Sequence, residues 1–153
     1  MNLNIRKMTE ADVPAVAELD QISFSLPWPE RSFRFEVTSN PASRCWVAEV
    51  DERVVGMIVA WLFVDEVHIA TIATHPDFRR QGIAEKLLTH TLHYTMDEGA
   101  VSSFLEVRES NLAAQEMYRK FGYENSGRRK RYYKDNDEDA ILMTLSEIQV
   151  DRL

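Results

Sequence analysis

The chain has 153 residues, of which 44% are hydrophobic and 28% charged, and its formal net charge at pH 7 is −7. This length and composition are typical of one globular domain, here spanning residues 1–153. The acidic balance argues against a general nucleic-acid-binding protein and favours encounter with a cationic peptide or protein tail. No apolar run approaches the roughly 18–20 residues of a membrane span, and the N-terminal residues lack the apolar core of a signal peptide. We therefore expect a cytoplasmic protein without a membrane partner.

Cysteine and histidine are too few and too scattered to build a metal centre. Cys45 is the only cysteine, which excludes an internal disulfide and a thiolate metal cluster. His68 and His75 flank the end of an apolar run, whereas His90 and His93 lie one helical turn apart without a nearby third ligand. We expect no metal site.

The N-terminal part of the chain predicts one strand and two helices. Residues 3–7 alternate like a short strand, and residues 9–22 carry an N-cap signal followed by a helical pattern. Two prolines flank Trp28 and exclude a helix there, before a second short helix over residues 30–37. Trp28 is therefore expected on an irregular turn.

The middle of the chain predicts a hairpin, a further strand and a long helix. Residues 45–50 and 54–61 are rich in β-formers and are separated by a short polar turn, which is typical of a hairpin. Residues 67–73 continue the sheet. Leucines recur at helical spacing from Ala84 onwards, and Gly99 ends that helix.

The C-terminal part predicts a strand over residues 101–107, a helix over residues 111–121 and two closing strands, one from Tyr123 onwards and one over residues 140–145. A strand–helix–strand–helix order implies a partly parallel sheet and hence an α/β protein.

The segment Arg79-Arg80-Gln81-Gly82-Ile83-Ala84 lies between a predicted strand and a predicted helix. Gly82 allows a ligand to approach the backbone closely, and the free N–H groups of the first helical turn attract an anion. The spacing matches neither a dinucleotide fingerprint nor a Walker loop. The pattern indicates a pyrophosphate site for coenzyme A, and an ordinary solvated turn is the alternative.

Arg79, Gly82 and Ala84 occupy the defining positions of an Arg/Gln-x-x-Gly-x-Gly/Ala signature, which resembles that of the GNAT superfamily of acetyl-CoA-dependent N-acetyltransferases. Residues 105–108, Leu-Glu-Val-Arg, and the helix at residues 111–123 resemble the latter half of the GNAT core. These features are similar to those of the RimI branch, the ribosomal-protein alanine N-acetyltransferases. The chain also resembles that branch at residues 27–30, 131–133 and 139–143.

The resemblance implies the GNAT (acyl-CoA N-acyltransferase) fold: a mixed, largely antiparallel sheet with a splayed parallel central strand pair, flanked by helices. Acetyl-CoA would bind in the cleft between the splayed strands. The backbone of Ile72, Ala73 and Thr74 would contact pantetheine and the thioester oxygen, and Asn111 would contact the pantetheine arm. The other implied cofactor-binding residues are Arg79, Arg80, Gln81, Gly82, Ile83, Ala84 and Glu85.

Two side chains are candidates for proton transfer. Glu106 at a strand end would be the general base that deprotonates the amine, and Tyr118, two turns after Asn111 on the same helix face, would be the acid for the thiolate. The alternatives are a solvated carboxylate or a partner of Arg108 for Glu106, and a packed core ring for Tyr118. Direct attack through a tetrahedral intermediate is favoured over a covalent relay because Cys45 lies in the early hairpin.

The acceptor side is predicted from aromatic residues. The basic tract at residues 128–134 also fits an RNA-binding patch, but the acidic residues that follow largely cancel its field, so we expect no direct nucleic-acid contact. Within the resemblance, Tyr132 and Tyr133 would line the peptide entrance. Trp28 would form the opposite wall, and a core position is its alternative.

The predicted function is transfer of acetyl from acetyl-CoA to a protein N-terminus, with the N-terminal alanine of a basic ribosomal protein as the favoured acceptor. A small-molecule amine or lysine acetyltransferase is the runner-up. A non-catalytic acyl-CoA-binding sensor and a nucleic-acid module stay open because fold does not dictate function. The oligomeric state is also left open.

Overall fold

The computed structural model describes residues 2–153, which form four α-helices and seven β-strands. The strands are β1 (Leu3–Lys7), β2 (Ser43–Val50), β3 (Arg53–Phe63), β4 (Glu66–Thr74), β5 (Ser102–Arg108), β6 (Glu124–Tyr133) and β7 (Glu138–Leu145). The helices are α1 (Val13–Ser23), α2 (Glu30–Thr38), α3 (Ile83–Asp97) and α4 (Leu112–Lys120). The strands hydrogen-bond in the order β1-β2-β3-β4-β5-β7-β6.

The chain divides into two compact units. The first unit contains the residues up to Trp61 together with Thr71–Thr91, and the second contains Leu62–Ala70 together with Leu92–Leu153. Strand β4 and helix α3 each continue from one unit into the other. The expectation of one domain over the whole chain stays a prediction.

The first unit is built on the predicted hairpin. Strand β2 pairs antiparallel with β1 and with β3, and the turn between β2 and β3 places Asp51 and Glu52 at positive φ of 50° and 67°. Helices α1 and α2 bury apolar residues such as Val13, Val16 and Phe33 completely. These elements match the predicted strand, hairpin and helices to within a few residues.

Gly56 on β3 determines how closely the start of α3 approaches the sheet. A Cβ atom at Gly56 would lie 2.9 Å from Ile83 Cγ2 and 3.2 Å from Leu87 Cδ1. Ile83 and Leu87 are 1% and 0% exposed, so both side chains fill the space that the missing side chain leaves. The position of the loop before α3 therefore depends on a glycine in the neighbouring strand.

The second unit contains the parallel strand pair. Residues Glu66–Ile69 of β4 pair in parallel with Ser102–Leu105 of β5, whereas β7 pairs antiparallel with β5 and with β6. The predicted α/β architecture, with a mixed, largely antiparallel sheet and one parallel pair, is confirmed. Inside the unit, the Tyr123 hydroxyl donates a 2.7 Å hydrogen bond to Ser103 Oγ.

Across residues 2–153, no helix is both long enough and apolar enough to cross a membrane.

Candidate active site

The loop that leads into α3 exposes the start of that helix. Residues Pro76–Phe78 form one turn of 3-10 helix, and Arg80 and Gly82 then adopt positive φ of 64° and 76°. A Cβ atom at Gly82 would meet nothing within 4 Å, so a ligand has room beside this backbone. The first N–H groups of α3 have no partner within the helix, and the helix dipole adds positive potential there. This backbone fits a pyrophosphate.

Two cationic side chains reinforce this end of α3. Arg79 and Arg80 are exposed, and within the described part of the chain neither forms an ion pair. Their charge is therefore available to a phosphate group. The other predicted residues of this segment are exposed Gln81 and, in the first turn of α3, Ile83, Ala84 and Glu85.

The end of β4 carries a buried hydroxyl that lacks a hydrogen bond. Ile72, Ala73 and Thr74 are the last residues of β4, and Ala73 is 6% exposed. Thr74 Oγ1 is buried and has no partner among residues 2–153. Since buried polar atoms are normally hydrogen-bonded, this hydroxyl fits a ligand that supplies the missing contact. The predicted pantetheine segment thus has one polar side chain available to the cofactor.

The turn that carries Trp28 is irregular, as predicted, and is held by a buried carboxylate. The Trp28 backbone N–H donates a 2.7 Å hydrogen bond to Asp20 Oδ2. Asp20 is only 1% exposed, and burial raises its pKa. The half-buried Trp28 ring stacks on Phe33 at 5.2 Å and on Trp61 at 6.3 Å. Trp28 therefore packs on its neighbours with one side and leaves the other accessible.

An open groove of about 500 Å³ lies along that accessible side, within the first unit. Its lining residues are Trp28, Pro29, Arg31, Ser32, Phe35, Glu36 and Trp61. Trp61 Nε1 donates a hydrogen bond to Glu36, which fixes the indole that supports Trp28. Three of its seven lining residues are aromatic: Trp28, Phe35 and Trp61.

Glu106 lies on β5 and is held by a histidine from β4. His68 Nε2 and Glu106 Oε2 are 2.9 Å apart, and Arg129 Nε lies 4.0 Å from Glu106 Oε1. The hydrogen bond from His68 is the main cause that lowers the pKa of Glu106, and Arg129 adds to it, whereas burial acts in the opposite direction. Glu106 is therefore an ionised carboxylate at neutral pH, as a base requires.

Arg108 is not the partner of Glu106, which corrects the alternative expected from the sequence. Its guanidinium lies 3.0 Å from Asp135 Oδ2 and 3.2 Å from Glu138 Oε1, and it lies over the Tyr133 ring at 4.0 Å from the centroid. Glu106 and Arg108 are two residues apart and therefore lie on the same face of β5. Two carboxylates nevertheless draw Arg108 towards the turn between β6 and β7. Asp135 in that turn and Glu138 at the start of β7 are thus already paired.

Tyr118 is a buried phenol on α4. It is 5% exposed, and burial raises its pKa, so the hydroxyl keeps its proton and could donate it. Its ring meets Tyr123 edge-on at 5.6 Å. Asn111 caps the same helix, since its side chain accepts a 3.2 Å hydrogen bond from the Ala114 N–H. The two residues belong to one helix, but Tyr118 is buried and Asn111 is exposed.

Tyr132 and Tyr133 end β6 and pack edge-on against each other at 5.2 Å. Tyr132 is 46% exposed. Tyr133 is half-buried, and burial raises its pKa to about 12. Tyr133 interacts electrostatically with both Glu106 and Tyr118. Within the second unit, Tyr133 therefore lies near both predicted proton-transfer residues.

His68 and Arg129 also belong to this cluster, although no sequence motif groups them with Glu106. His68 precedes Glu106 by 38 residues, and only the parallel register of β4 and β5 brings them together. The signal available in the sequence is a lone histidine in an apolar strand. Its partner follows from the register alone.

Comparison with known proteins identifies relatives over nearly the whole chain. The sequence model of the acetyltransferase (GNAT) family matches residues 13–123. A protein of Bacillus subtilis is 37% identical over 139 residues, which are 91% of this chain and 92% of the relative. The ribosomal protein bS18-alanine N-acetyltransferase of Escherichia coli K12 is 31% identical over 145 residues, with 92% and 95% covered.

A solved structure supports the same resemblance. The crystal structure of the ribosomal-protein-S18-alanine N-acetyltransferase from Escherichia coli matches with a TM-score of 0.89 and 28% identity, and covers 97% of this chain and 96% of its own. The resemblance predicted from the sequence motifs is confirmed.

Proposed function

Since this chain belongs to the GNAT family of acetyltransferases, we propose that it acetylates the N-terminal α-amine of a protein, with acetyl-CoA as donor. The favoured acceptor is the N-terminal alanine of a basic ribosomal protein, as the name of the Escherichia coli relative states for that enzyme. The observation that carries the proposal is an ionised Glu106 held by His68 beside aromatic side chains, in a chain that matches this relative over 92% of its length.

Acetyl-CoA is assigned to three groups of residues. The start of α3, with Arg79 and Arg80, would bind the pyrophosphate through backbone N–H groups and unpaired positive charge. The end of β4, with Thr74, would contact pantetheine. Asn111 would contact the pantetheine arm, although its Oδ1 already caps α4, so we assign that contact to its Nδ2 amide group or to the remaining lone pair of Oδ1.

Glu106 is proposed as the general base. An α-amine has a pKa of about 8, so only about a tenth of such amines are neutral at pH 7. Only the neutral amine can attack the thioester carbonyl, and a carboxylate within reach, directly or through a water, removes the extra proton. The amine then attacks the acetyl carbonyl directly, and the N–H of Ala73 would hold the developing oxyanion.

Tyr118 is proposed as the acid that protonates the departing thiolate. Its burial keeps the phenol protonated, so the hydroxyl has a proton to donate. A coenzyme A thiolate is a moderately good leaving group, so this proton assists and does not dominate. Replacement by phenylalanine would slow turnover and leave the ring packing against Tyr123.

The acceptor is assigned to the aromatic side chains at Trp28, Tyr132 and Tyr133. Aromatic rings supply apolar contact for a short N-terminal side chain, and the net charge of −7 favours encounter with a basic protein. We place the reaction in the cytoplasm, without metal, membrane or direct nucleic-acid contact.

The test is acetyl transfer to a panel of peptides with different free N-termini, including an alanine start, beside N-blocked lysine peptides and polyamines. Mass spectrometry locates the acetyl group. We expect acetylation only at α-amines, and we expect Glu106→Gln to lower kcat/KM by about 10²–10⁴-fold. Glu109→Gln is the matched control, because Glu109 is an exposed strand-end carboxylate paired with Arg128, and it should keep nearly full activity.

The other outcomes identify the alternatives. Turnover confined to lysine or polyamines would replace the proposal with the runner-up acetyltransferase. Binding of acetyl-CoA without coenzyme A release with any amine would identify a sensor. Equal loss of activity in Glu106→Gln and Glu109→Gln would remove Glu106 as the base.

A further inference from the structure

The parallel register of β4 and β5 places an imidazole beside the proposed base. His68 and Phe104 are register partners, and their rings stack in parallel, with centroids 4.5 Å apart and planes at 6°. Glu106 is two residues beyond Phe104, so its side chain lies on the same face of β5. The stack on Phe104 orients the His68 ring so that its Nε2 reaches the carboxylate.

The two oxygens of Glu106 have different neighbours. Oε2 lies 2.9 Å from His68 Nε2, whereas Oε1 lies 4.0 Å from Arg129 Nε, which is beyond hydrogen-bond distance. Since an ionised carboxylate only accepts hydrogen bonds, Nε2 carries the proton of this contact and donates it to Oε2. One oxygen is therefore held, and the other keeps its capacity to accept a proton.

We propose that His68 is a positioning residue for Glu106: its Nε2–H bond fixes the carboxylate and keeps it ionised, so that Oε1 receives the proton of the acceptor ammonium. The inference rests on the proposed function. In this step an N–H bond of the ammonium breaks and an O–H bond forms at Oε1, directly or across a water. The nitrogen keeps the electron pair with which it attacks.

The other groups that face Glu106 do not replace this contact. Arg129 from β6 attracts the carboxylate at longer distance, and Tyr133 at the end of β6 is a neutral phenol near pH 7. From β7, the register partner of Glu106 is the apolar Leu142. Apart from the backbone N–H of Glu106 itself, His68 is thus the group within hydrogen-bond distance of the carboxylate. Without His68, the burial of Glu106 favours the protonated acid.

Three variants separate hydrogen bonding from packing. His68→Phe keeps an aromatic ring over Phe104 and removes the donor. His68→Gln removes the imidazole ring but places an amide N–H at a reach similar to that of Nε2. His68→Asn carries the same amide on a shorter side chain and lacks that reach, so it serves as a second variant should the phenylalanine variant fail to fold.

The primary measurement is the titration of the Glu106 carboxyl by ¹³C NMR, assigned with Glu106→Gln, in the full chain without any acceptor. We expect the pKa of Glu106 to rise by about 1 in His68→Phe and His68→Asn and to stay close to the wild-type value in His68→Gln. In the same two variants, the acidic decline of kcat/KM should move to higher pH. At a pH on that decline, kcat/KM should fall about tenfold, while the affinity for acetyl-CoA should change less.

An unchanged pKa in His68→Phe or His68→Asn would overturn the proposal, and so would equal increases in all three variants, since the donor would then not be the cause. The titration needs no acceptor amine. It therefore stands apart from the acetyl-transfer panel, whose failure would refute the proposed function and leave the titration intact.

Discussion

Replacing Gly56 with alanine tests how the start of α3 is held against the sheet. The new Cβ would lie 2.9 Å from Ile83 Cγ2, a distance at which one of the two atoms must move. Cγ2 is bonded directly to Cβ of this β-branched residue, so it moves only if χ1 or the helix itself shifts. Leu87 Cδ1, at 3.2 Å, is the end of a flexible side chain and can rotate away.

The expected cost is the difference of two effects. Overpacking a buried site costs about 1–3 kcal/mol, and the loss of glycine flexibility in the unfolded chain offsets about 0.4–1 kcal/mol. We expect Gly56→Ala to lower the free energy of unfolding by about 1–2 kcal/mol, measured by urea titration. For a chain of this size the same change lowers Tm by about 3–6 °C.

A double-mutant cycle identifies the responsible contact. In an Ile83→Ala background the clashing methyl is gone, so adding Gly56→Ala should cost less than about 0.5 kcal/mol. Gly127→Ala is the control, because its nearest atom is the flexible Leu142 Cδ1 at 3.0 Å, and it should change stability by less than about 0.5 kcal/mol. The same cost for Gly56→Ala in both backgrounds would refute the reasoning.

Two further substitutions probe buried polar contacts. Tyr123→Phe removes the 2.7 Å bond to Ser103 and should lower the free energy of unfolding by about 1–2 kcal/mol in urea titration; adding Ser103→Ala should recover part of this loss, and no recovery would contradict an unpaired hydroxyl as the cause. Asp12→Asn weakens a two-bond contact with Arg6, with both N–O distances 2.7 Å, and should cost about 2 kcal/mol at pH 7. Because Arg6 lowers the pKa of Asp12, this contribution is present above the ordinary value of 3.8 and is lost as the pH falls further, so wild type and Asp12→Asn should converge in acid. A difference in stability that stays constant down to pH 3 would contradict this assignment.

Local sequence signals were sufficient for most of the fold. The polar turn at Asp51 and Glu52 predicted the hairpin, and Gly99 predicted the end of α3, because turn and cap preferences depend on neighbouring residues alone. The parallel pair was predicted as a class from the order of elements. Its register was not, because no local signal aligns residue 68 with residue 104.

The candidate site shows the same division. Glu106, Tyr118 and the loop at Gly82 were found by motif, since their spacing within one strand, helix or loop is short. The partners of Glu106 and Arg108 were not found, because they come from residues 27–38 positions away. Which of several nearby charged groups a side chain pairs with depends on distances that only the folded chain defines.

The attachment of Arg108 to Asp135, Glu138 and the Tyr133 ring has a consequence for exchanging segments between relatives. The turn between β6 and β7 is held by its contacts with Arg108 at the end of β5. A chimera that receives a foreign segment without carboxylates at positions 135 and 138 would lose both ion pairs of Arg108. The β6–β7 turn and the residue at position 108 must therefore be exchanged together if these contacts are to be kept.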